Sequence, residues 1–240
     1  MTGSSEHAAV RYWLVMPAAG SGRRFGHPLP KQYAPLFGRT VIEWALAPFI
    51  ADARCAGVVV AIAAADSHWQ RVAPRLPSVE VAPGGEARSD SVRSALLTLA
   101  GRARADDWVL VHDAARPCLS VADRDRLLRE VGAHSIGGLL ATRAADTLKR
   151  AAENLSVAMT LDRTDLWRAL TPQMFRYGPL CAALDAAKAL ERSPSDEAQA
   201  FEWLGEHPAL IEGSAANLKV TSLSDLALAE ALLAARESPP

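Results

Sequence analysis

Five short, mainly apolar runs, separated by longer amphipathic stretches, set the strongest limit on how this 240-residue chain can fold. The runs are Trp13–Met16, Gly57–Ile62, Val79–Ala82, Asp107–His112 and Gly137–Thr142. Short runs of this kind are typical of strands that are buried on both faces of a parallel sheet. The stretch Val121–Val131 has helical periodicity instead. Strands that alternate with helices predict an α/β fold, with a mostly parallel sheet and helices on both faces.

The first apolar run ends at Pro17 in a loop of small residues that contains Gly20 and Gly22. Glycine accepts positive φ angles, and small side chains let backbone N–H groups approach an anion closely. Three cationic residues follow the loop, namely Arg23, Arg24 and Lys31. A strand that ends in such a loop and is followed by cations indicates a nucleoside triphosphate site.

This loop differs from two familiar phosphate-binding loops. No Gly-Lys-Ser/Thr sequence closes it, as a Walker A loop requires. Phe25 stands where a dinucleotide-binding fingerprint needs its third glycine, and no acidic residue ends a strand about 20 residues later. Glycine-containing turns are common wherever a strand leads into a helix, so the glycines alone leave an ordinary turn with surface arginines open.

Two further clusters of polar and small residues, Gly84–Ser91 and Asp113–Pro117, follow other predicted strands. In parallel sheets, ligands bind outside the carboxyl ends of the strands. Because both clusters and the first glycine loop fall at such ends, the sequence predicts that they form one site.

Composition narrows the class of protein. Half of the residues are hydrophobic, 22% are charged and the formal net charge is −1, which is ordinary for a soluble enzyme. With a net charge near zero, the protein has no overall positive potential that would bind nucleic acid non-specifically. No apolar run is long enough to span a membrane. The three cysteines, Cys55, Cys118 and Cys181, show no metal-ligand spacing, and we expect reduced thiols in a cytoplasmic protein.

Two segments depart from the alternating pattern. Residues 1–11 are small and polar and lack the apolar region of a signal peptide, so we expect a disordered tail before a single domain over residues 12–236. Residues 143–176 carry short apolar runs without a core of their own, which predicts an extended β-arm. Such an arm usually buries itself on a partner subunit, and a hairpin folded back on its own domain is the alternative.

Seven motifs occur in an order that resembles one family. They are Pro17–Arg24, Pro30–Tyr33, Gly84-Gly85 with Arg88 and Ser91, Val111–Pro117, Leu170–Gln173, Asp196–Ala198 and Asn217–Thr221. The chain resembles the 2-C-methyl-D-erythritol 4-phosphate cytidylyltransferases of the non-mevalonate isoprenoid pathway, from about Trp13 to about Leu233. Many nucleotidyltransferases share the first motif, whereas His-Asp-Ala-Ala-Arg-Pro, Thr-Pro-Gln and Lys-Val-Thr together are far more specific.

The resemblance implies a Rossmann-like fold and an enzyme that transfers CMP from CTP to methylerythritol 4-phosphate and releases pyrophosphate. It also implies Mg²⁺ and a homodimer whose arms complete each other's active sites. The attacking phosphate is already anionic near neutral pH, so the reaction needs fixed positive charge rather than a general base.

The resemblance also assigns roles to individual residues. Arg24 and Lys31 match the cations that stabilise the transition state. CTP would lie along Pro17, Ala18, Ala19, Gly20, Gly85, Glu86, Ser91 and Ala114. The acceptor substrate would meet Asp113, Arg116, Thr147, Arg163, Thr171, Ser195 and Lys219. Asp113 would also bind Mg²⁺. Thr147 and Arg163 would come from the arm of the other subunit.

Other interpretations of single residues stay open. Asp113 is also suited to capping a helix, and Arg163 or Lys219 taken alone would be ordinary surface charges. We expect His112 to be structural. Glu86 replaces the aspartate common in relatives, Ser195 replaces a threonine, and Ala216 stands where an acidic partner for Lys219 is common. The rival functions are a transferase with another nucleotide or acceptor, a nicotinamide-dependent oxidoreductase, and an inactive binding protein of the same fold.

Overall fold

The computed structural model describes residues 10–20, 25 and 29–237 of the chain. The strands are β1 (Tyr12–Pro17), β2 (Pro35–Leu36), β3 (Arg39–Thr40), β4 (Cys55–Ile62), β5 (Val79–Pro83), β6 (Trp108–Val111), β7 (Gly137–Arg143), β8 (Lys149–Ala151), β9 (Val157–Thr160), β10 (Trp167–Arg176) and β11 (Ala209–Glu212). The α-helices are α1 (Val41–Ile50), α2 (Trp69–Val72), α3 (Arg88–Thr98), α4 (Val121–Val131), α5 (Tyr177–Ala189), α6 (Glu197–Glu202) and α7 (Leu223–Glu237).

Seven of these strands form the central sheet, in the order β11-β7-β10-β6-β1-β4-β5. Strand β10 runs antiparallel to both of its neighbours, β6 and β7. The other pairings in this sheet are parallel. The predicted mostly parallel α/β sheet is therefore confirmed. Because β1, β4, β5, β6, β7 and β11 share one direction, their carboxyl ends lie along one edge.

Helices cover both faces of the sheet because successive side chains of a strand point to opposite sides. Leu14 and Met16 of β1 pack in one apolar cluster with residues of α1, α2 and α4. Val15, between them in sequence, packs in a second cluster with residues of α3, α5 and α6. The near-continuous apolar character of β1 thus reflects burial on both faces.

A third apolar cluster joins helix α7 to the short hairpin β2–β3. Leu36 and Val41 lie in this cluster with Val220 and with Leu233 of α7. The backbone N–H of Val220 also donates to the carbonyl oxygen of Ala115, at 2.8 Å. These contacts hold the segment before α7, which includes Lys219, beside the loop that follows β6.

Both ends of the predicted 143–176 segment lie in the central sheet. Strand β10 pairs with β6 and β7 in the central sheet, so the returning part of the predicted 143–176 segment belongs to the body of the domain. The segment that departs from the sheet closes where the N–H of Ala144 donates to the carbonyl of Leu166. Within it, β8 and β9 pair only with each other. The apolar residues Met174 and Phe175 are fully buried, which explains why β10 lies inside the sheet.

The hairpin β8–β9 exposes several large apolar side chains, including Leu155, which is 89% accessible to solvent, and Val157, which is 65% accessible. Exposed apolar side chains grouped on one hairpin mark a surface that suits contact with another protein chain. The role of the arm in dimerisation stays a prediction.

Most of the predicted amino-terminal tail, residues 1–9, lies outside the described residues. Val10 is partly buried against the first apolar cluster, directly before β1. Among the described helices, none combines the length and the apolar character that crossing a membrane requires.

Helix α1 begins after Thr40, and Glu43 stands three residues later, at the spacing of a capping box. The N–H and the hydroxyl of Thr40 donate to Glu43 Oε2 at 2.9 and 2.6 Å. Arg75 donates to the other oxygen of the same carboxylate at 2.5 Å and to Oε2 at 3.0 Å. Burial by itself would raise the pKa of Glu43, but Arg75 and Thr40 outweigh it and lower this pKa to about 2.

We expect Glu43→Gln to lower the free energy of unfolding by about 1–3 kcal/mol at neutral pH, since it removes hydrogen bonds to a buried charge. The pKa of Glu43 falls from 4.5 to about 2 on folding, so the carboxylate stabilises the protein above about pH 4.5 and loses that effect as the pH falls toward 2. Urea denaturation at neutral pH and near pH 3 measures this difference. An equal loss at both pH values would contradict the role of the charge.

Candidate active site

Four loops meet at the carboxyl edge of the sheet and enclose a cleft. They follow β1, β5 and β6 and precede α7. The cleft is lined by Pro17, Ala18, Ala19, Gly20, Lys31, Gln32, Glu86, Arg88, Ser91, Asp113, Ala114, Ala115 and Lys219. Ten of these thirteen residues were predicted from the sequence as site residues. Gln32, Arg88 and Ala115 had been assigned no role.

Gln32 holds the loop after β1 in place. Its side-chain amide donates to the carbonyl oxygens of Ala18 and Gly20, at 2.8 and 3.2 Å. The N–H of Ala18 donates in turn to the carbonyl of Ala61 on β4. Lys31, next to Gln32 on the same 3-10 turn, lines the cleft. Arg24, the second predicted catalytic cation, lies outside the described residues, so its role stays a prediction.

The loop after β5 lies close to the loop after β1. A Cβ atom on Gly84 would fall 2.2 Å from the Cβ of Ala19, so this approach needs glycine. Ser91 organises the same loop, because its hydroxyl accepts from the N–H of Gly85 at 3.1 Å and donates to the carbonyl of Ala87 at 3.3 Å. The hydroxyl predicted to contact cytosine is thus used within the loop. Glu86 is exposed at the rim of the cleft.

Asp113 stands at the centre of a cluster of charges. Its Oδ1 lies 3.0 Å from Arg88 Nε, and its Oδ2 lies 2.9 Å from Lys219 Nζ and 3.5 Å from Arg116 Nε. Burial alone would raise the pKa of Asp113, but the positive charges of Arg88, Lys219 and Arg116 hold it well below its usual range. Asp113 is therefore a carboxylate at every physiological pH. Lys219 has this partner although residue 216 is an alanine.

Arg88 connects Asp113 to a second buried acid, Glu197. The two terminal nitrogens of Arg88 donate to Glu197 Oε1 and Oε2 at 2.7 and 3.2 Å. The Glu197 side chain is 1% exposed. Burial raises its pKa and the charge of Arg88 opposes that shift. From the sequence, Glu197 belongs to the Asp196–Ala198 family motif and has no assigned role. Asp196 caps α6 by accepting from the N–H of Gln199 at 2.9 Å.

His112 takes part in a chain of hydrogen bonds beneath the cleft. The N–H of Asp113 donates to Thr171 Oγ1 at 3.1 Å, and Thr171 Oγ1 lies 2.9 Å from His112 Nδ1. His112 Nε2 lies 3.2 Å from the carbonyl oxygen of Arg116, which can only accept. The chain is satisfied when Nε2 carries the proton and Nδ1 accepts from Thr171. His112 is fully buried, and burial lowers its pKa to about 4.

Arg116 and Thr171 support the loop around Asp113. Arg116 donates to the carbonyl of Asn217 at 2.8 Å, and the Asn217 side chain donates to the carbonyl of Thr171 at 2.7 Å. Both predicted substrate residues are more than nine-tenths buried. Arg116 also borders an adjoining recess together with Arg168 and Lys219.

Besides Arg116 and Thr171, four described site residues predicted from the sequence do not line the cleft of a single chain. Gly85 is adjacent to it, between Gly84 and Glu86. Thr147 and Arg163 are exposed on the arm, where Arg163 donates to the carbonyl of Ala145. Ser195 is exposed before α6, and its N–H donates to the side chain of Gln199. Thr147 and Arg163 are therefore not among the residues that line this cleft.

Comparisons with known proteins agree with this geometry. The family model of 2-C-methyl-D-erythritol 4-phosphate cytidylyltransferase matches residues 12–235. The chain belongs to this family. Its sequence is 51% identical over 235 residues to the 2-C-methyl-D-erythritol 4-phosphate cytidylyltransferase of Halorhodospira halophila, which covers 95% of this chain and 96% of the relative. The family resemblance deduced from the motifs is therefore confirmed.

Solved structures of the cytidylyltransferase family share the fold. A crystal structure of 4-diphosphocytidyl-2C-methyl-D-erythritol synthase superposes with a TM-score of 0.82 at 37% identity, over 93% of this chain and 99% of that one. The Francisella tularensis 2-C-methyl-D-erythritol 4-phosphate cytidylyltransferase superposes with a TM-score of 0.78 at 36% identity, over 92% and 99%. The expectation of a cytidylyltransferase fold is confirmed.

The described residues contain no group of three or more metal-ligating side chains, so the cleft offers Mg²⁺ no protein cage, only the carboxylate of Asp113 in its wall and that of Glu86 at its rim. Mg²⁺ is commonly held by one or two carboxylates together with substrate phosphates. A single ionised carboxylate at the wall of the cleft fits a metal ion that arrives with a nucleotide.

We expect His112 to stay neutral, with its proton on Nε2, down to about pH 5, because its pKa is lowered to about 4. Since the unfolded chain protonates this group below about pH 6.5, its burial should make the free energy of unfolding fall as the pH drops from 6.5 to about 4. Nitrogen NMR of the imidazole measures both the tautomer and the titration. A protonated ring at pH 6 would contradict the hydrogen-bond chain described above.

Proposed function

We propose that this chain catalyses the reaction that its family name describes, the transfer of CMP from CTP to 2-C-methyl-D-erythritol 4-phosphate with release of pyrophosphate. The observation that carries the proposal is the arrangement of charge around the cleft. Lys31 lies with the glycine-containing loop on one side, and Arg88, Arg116 and Lys219 surround Asp113 on the other. Such a cleft suits two anionic phosphate groups that must meet.

The groups present fit phosphoryl-type transfer. The acceptor is a phosphate monoester that is already anionic, so the protein needs to position it and to stabilise developing charge. His112 is fully buried and its pKa is lowered, so it is not suited to act as a base on the substrate. We assign transition-state stabilisation to Lys31 and Arg24, which both follow the glycine-containing loop in the sequence.

Both substrates have a proposed place in the cleft. CTP lies along residues 17–20, with its base at Gly85, Glu86 and Ser91 and its ribose near Ala114. The hydroxyls and the phosphate of the acceptor meet Asp113, Arg116, Thr171, Ser195 and Lys219. We propose that Mg²⁺ is held by the triphosphate with Asp113 as a protein ligand, and that it supplies positive charge to the phosphates.

We expect pyrophosphate release that requires both CTP and methylerythritol 4-phosphate and that is much weaker with UTP, ATP or GTP. Lys31→Ala and Arg24→Ala should each lower kcat by about 100- to 1,000-fold, since each removes a fixed charge at the reacting phosphates. Arg129→Ala, on the exposed side of α4, is the matched control and should keep wild-type activity. No turnover with CTP, or full turnover by both variants, would overturn the proposal.

We further propose that the protein is a homodimer whose arms complete the sites, and that it acts in the cytoplasm. The exposed apolar hairpin and the separation of Thr147 and Arg163 from their own cleft support a shared site. In this arrangement the arm of one chain covers the acceptor side of its partner's cleft. The three free cysteines agree with a reducing compartment.

We expect a mixture of two inactive variants, Lys31→Ala and Arg163→Ala, to recover about a quarter of wild-type activity after subunit exchange, because half of the dimers are mixed and one of their two sites is intact. Each variant alone stays inactive. Turnover of the mixture as a function of the mixing ratio measures this effect. Failure to recover activity, in a mixture that is shown to exchange subunits, would contradict the shared site.

A further inference from the structure

Glu197 is a buried acid that the proposed reaction does not use. Its two oxygens accept from the terminal nitrogens of Arg88, and its side chain is 1% exposed. The contact joins residues 109 positions apart in the sequence. An isolated carboxylate in such a place would be strongly unfavourable, so the fork of Arg88 is needed to keep it there.

A buried ion pair is a poor way to stabilise a fold, because well-packed apolar residues of similar size often do as well or better. The position of the pair therefore points to another role. Arg88 is also in contact with the proposed reaction centre, since its Nε donates to Asp113 Oδ1 at 3.0 Å. The three nitrogens of one guanidinium thus bridge two carboxylates.

Hydrogen bonds hold the residues on either side of Glu197. Gln173 of strand β10 accepts from the N–H of Ala198 at 2.9 Å and donates to Asp196 Oδ2 at 3.0 Å. Gln173 is 1% exposed and lies two residues after Thr171, whose hydroxyl accepts from the N–H of Asp113. Strand β10 thus contacts the neighbours of Glu197 through Gln173 and the backbone of Asp113 through Thr171.

The two oxygens of Asp113 differ in how they are held. Oδ1 accepts from Arg88, which is itself clamped by Glu197. Oδ2 pairs with Lys219, whose side chain is 39% exposed. Arg116 Nε is buried without a hydrogen-bond partner in the described structure and lies 3.5 Å from this same Oδ2. A small shift would let Arg116 replace Lys219.

We propose that Arg88 and Glu197 are positioning residues that clamp Oδ1 of Asp113, so that Lys219 can leave Oδ2 for the phosphate of the acceptor while Arg116 takes its place. The inference rests on the proposed function, because it assigns Lys219 to an anionic acceptor. Glu197 also offsets one of the three positive charges around Asp113. Without Glu197, Arg88 would be free to follow Asp113 or a substrate phosphate.

The first test compares Glu197→Gln with Glu80→Gln. Glu80 forms the same two-pronged pair with Arg102 at 2.6 and 2.9 Å, but on the exposed surface. We expect Glu197→Gln to lower kcat/KM for the acceptor by about 10- to 100-fold, because misplacing a catalytic group by about 1 Å can cost about 100-fold. KM for CTP should change less than about twofold, and Glu80→Gln should match wild type in every parameter.

A double variant, Arg88→Met with Glu197→Met, separates positioning from folding. Apolar side chains of similar volume should keep the domain folded, as they do in other buried ion pairs. We expect cooperative thermal unfolding near the wild-type temperature together with the same loss of kcat/KM for the acceptor. A folded double variant with wild-type kinetics for the acceptor would overturn the proposal.

Crystal structures of Glu197→Gln and Glu80→Gln give a readout that does not depend on the reaction. The proposal expects the carboxylate of Asp113 or the guanidinium of Arg88 to move in the first variant and neither to move in the second. If wild type turns over and neither group moves, the inference fails and the proposed function stands. If wild type fails to use CTP and the acceptor, the proposed function fails. If, in addition, neither Asp113 nor Arg88 moves in Glu197→Gln, the inference that Arg88 and Glu197 position Asp113 fails as well.

Discussion

The carboxylate of Asp113 is the group on which the arrangement of the site depends. It is buried among Arg88, Arg116 and Lys219, and each cation comes from a different part of the chain. A buried carboxylate is tolerable only when charged hydrogen bonds surround it. Three segments must therefore meet at Asp113, namely those after β5 and β6 and the one before α7. If any of them were displaced, a buried charge would lose its partner.

The order of the sheet makes this convergence possible. Strands β6 and β1 are neighbours in the centre, so the Asp113 loop lies beside the glycine-containing loop. The antiparallel strand β10 is inserted between β6 and β7, and its pairing with β7 is interrupted between Ala169 and Gln173. Thr171 lies in this interruption and contacts both His112 and Asp113. The antiparallel strand β10 thus supplies residues that lie directly beneath the site.

The charges around the cleft are already paired with one another, and an anionic substrate would have to compete for them. Lys219 is the most exposed of the three cations on Asp113, at 39% of its side chain. In a family whose name describes the joining of a nucleotide to a sugar-alcohol phosphate, the exposed cation is the one suited to exchange partners. Arg116, more than nine-tenths buried, suits the opposite task of keeping Asp113 ionised.

The sequence by itself determined five strands of the central sheet and the loops that carry Lys31 and Asp113, because burial on both faces leaves a local pattern. It also carried the family motifs. The tertiary structure decided that Trp167–Ala169, which the sequence places in the arm, pair with β7 in the central sheet. It likewise decided that Glu197 clamps Arg88, across 109 residues. Pairing between distant strands and between distant charges leaves no periodic signal in the chain, so only the folded sheet could bring these groups together.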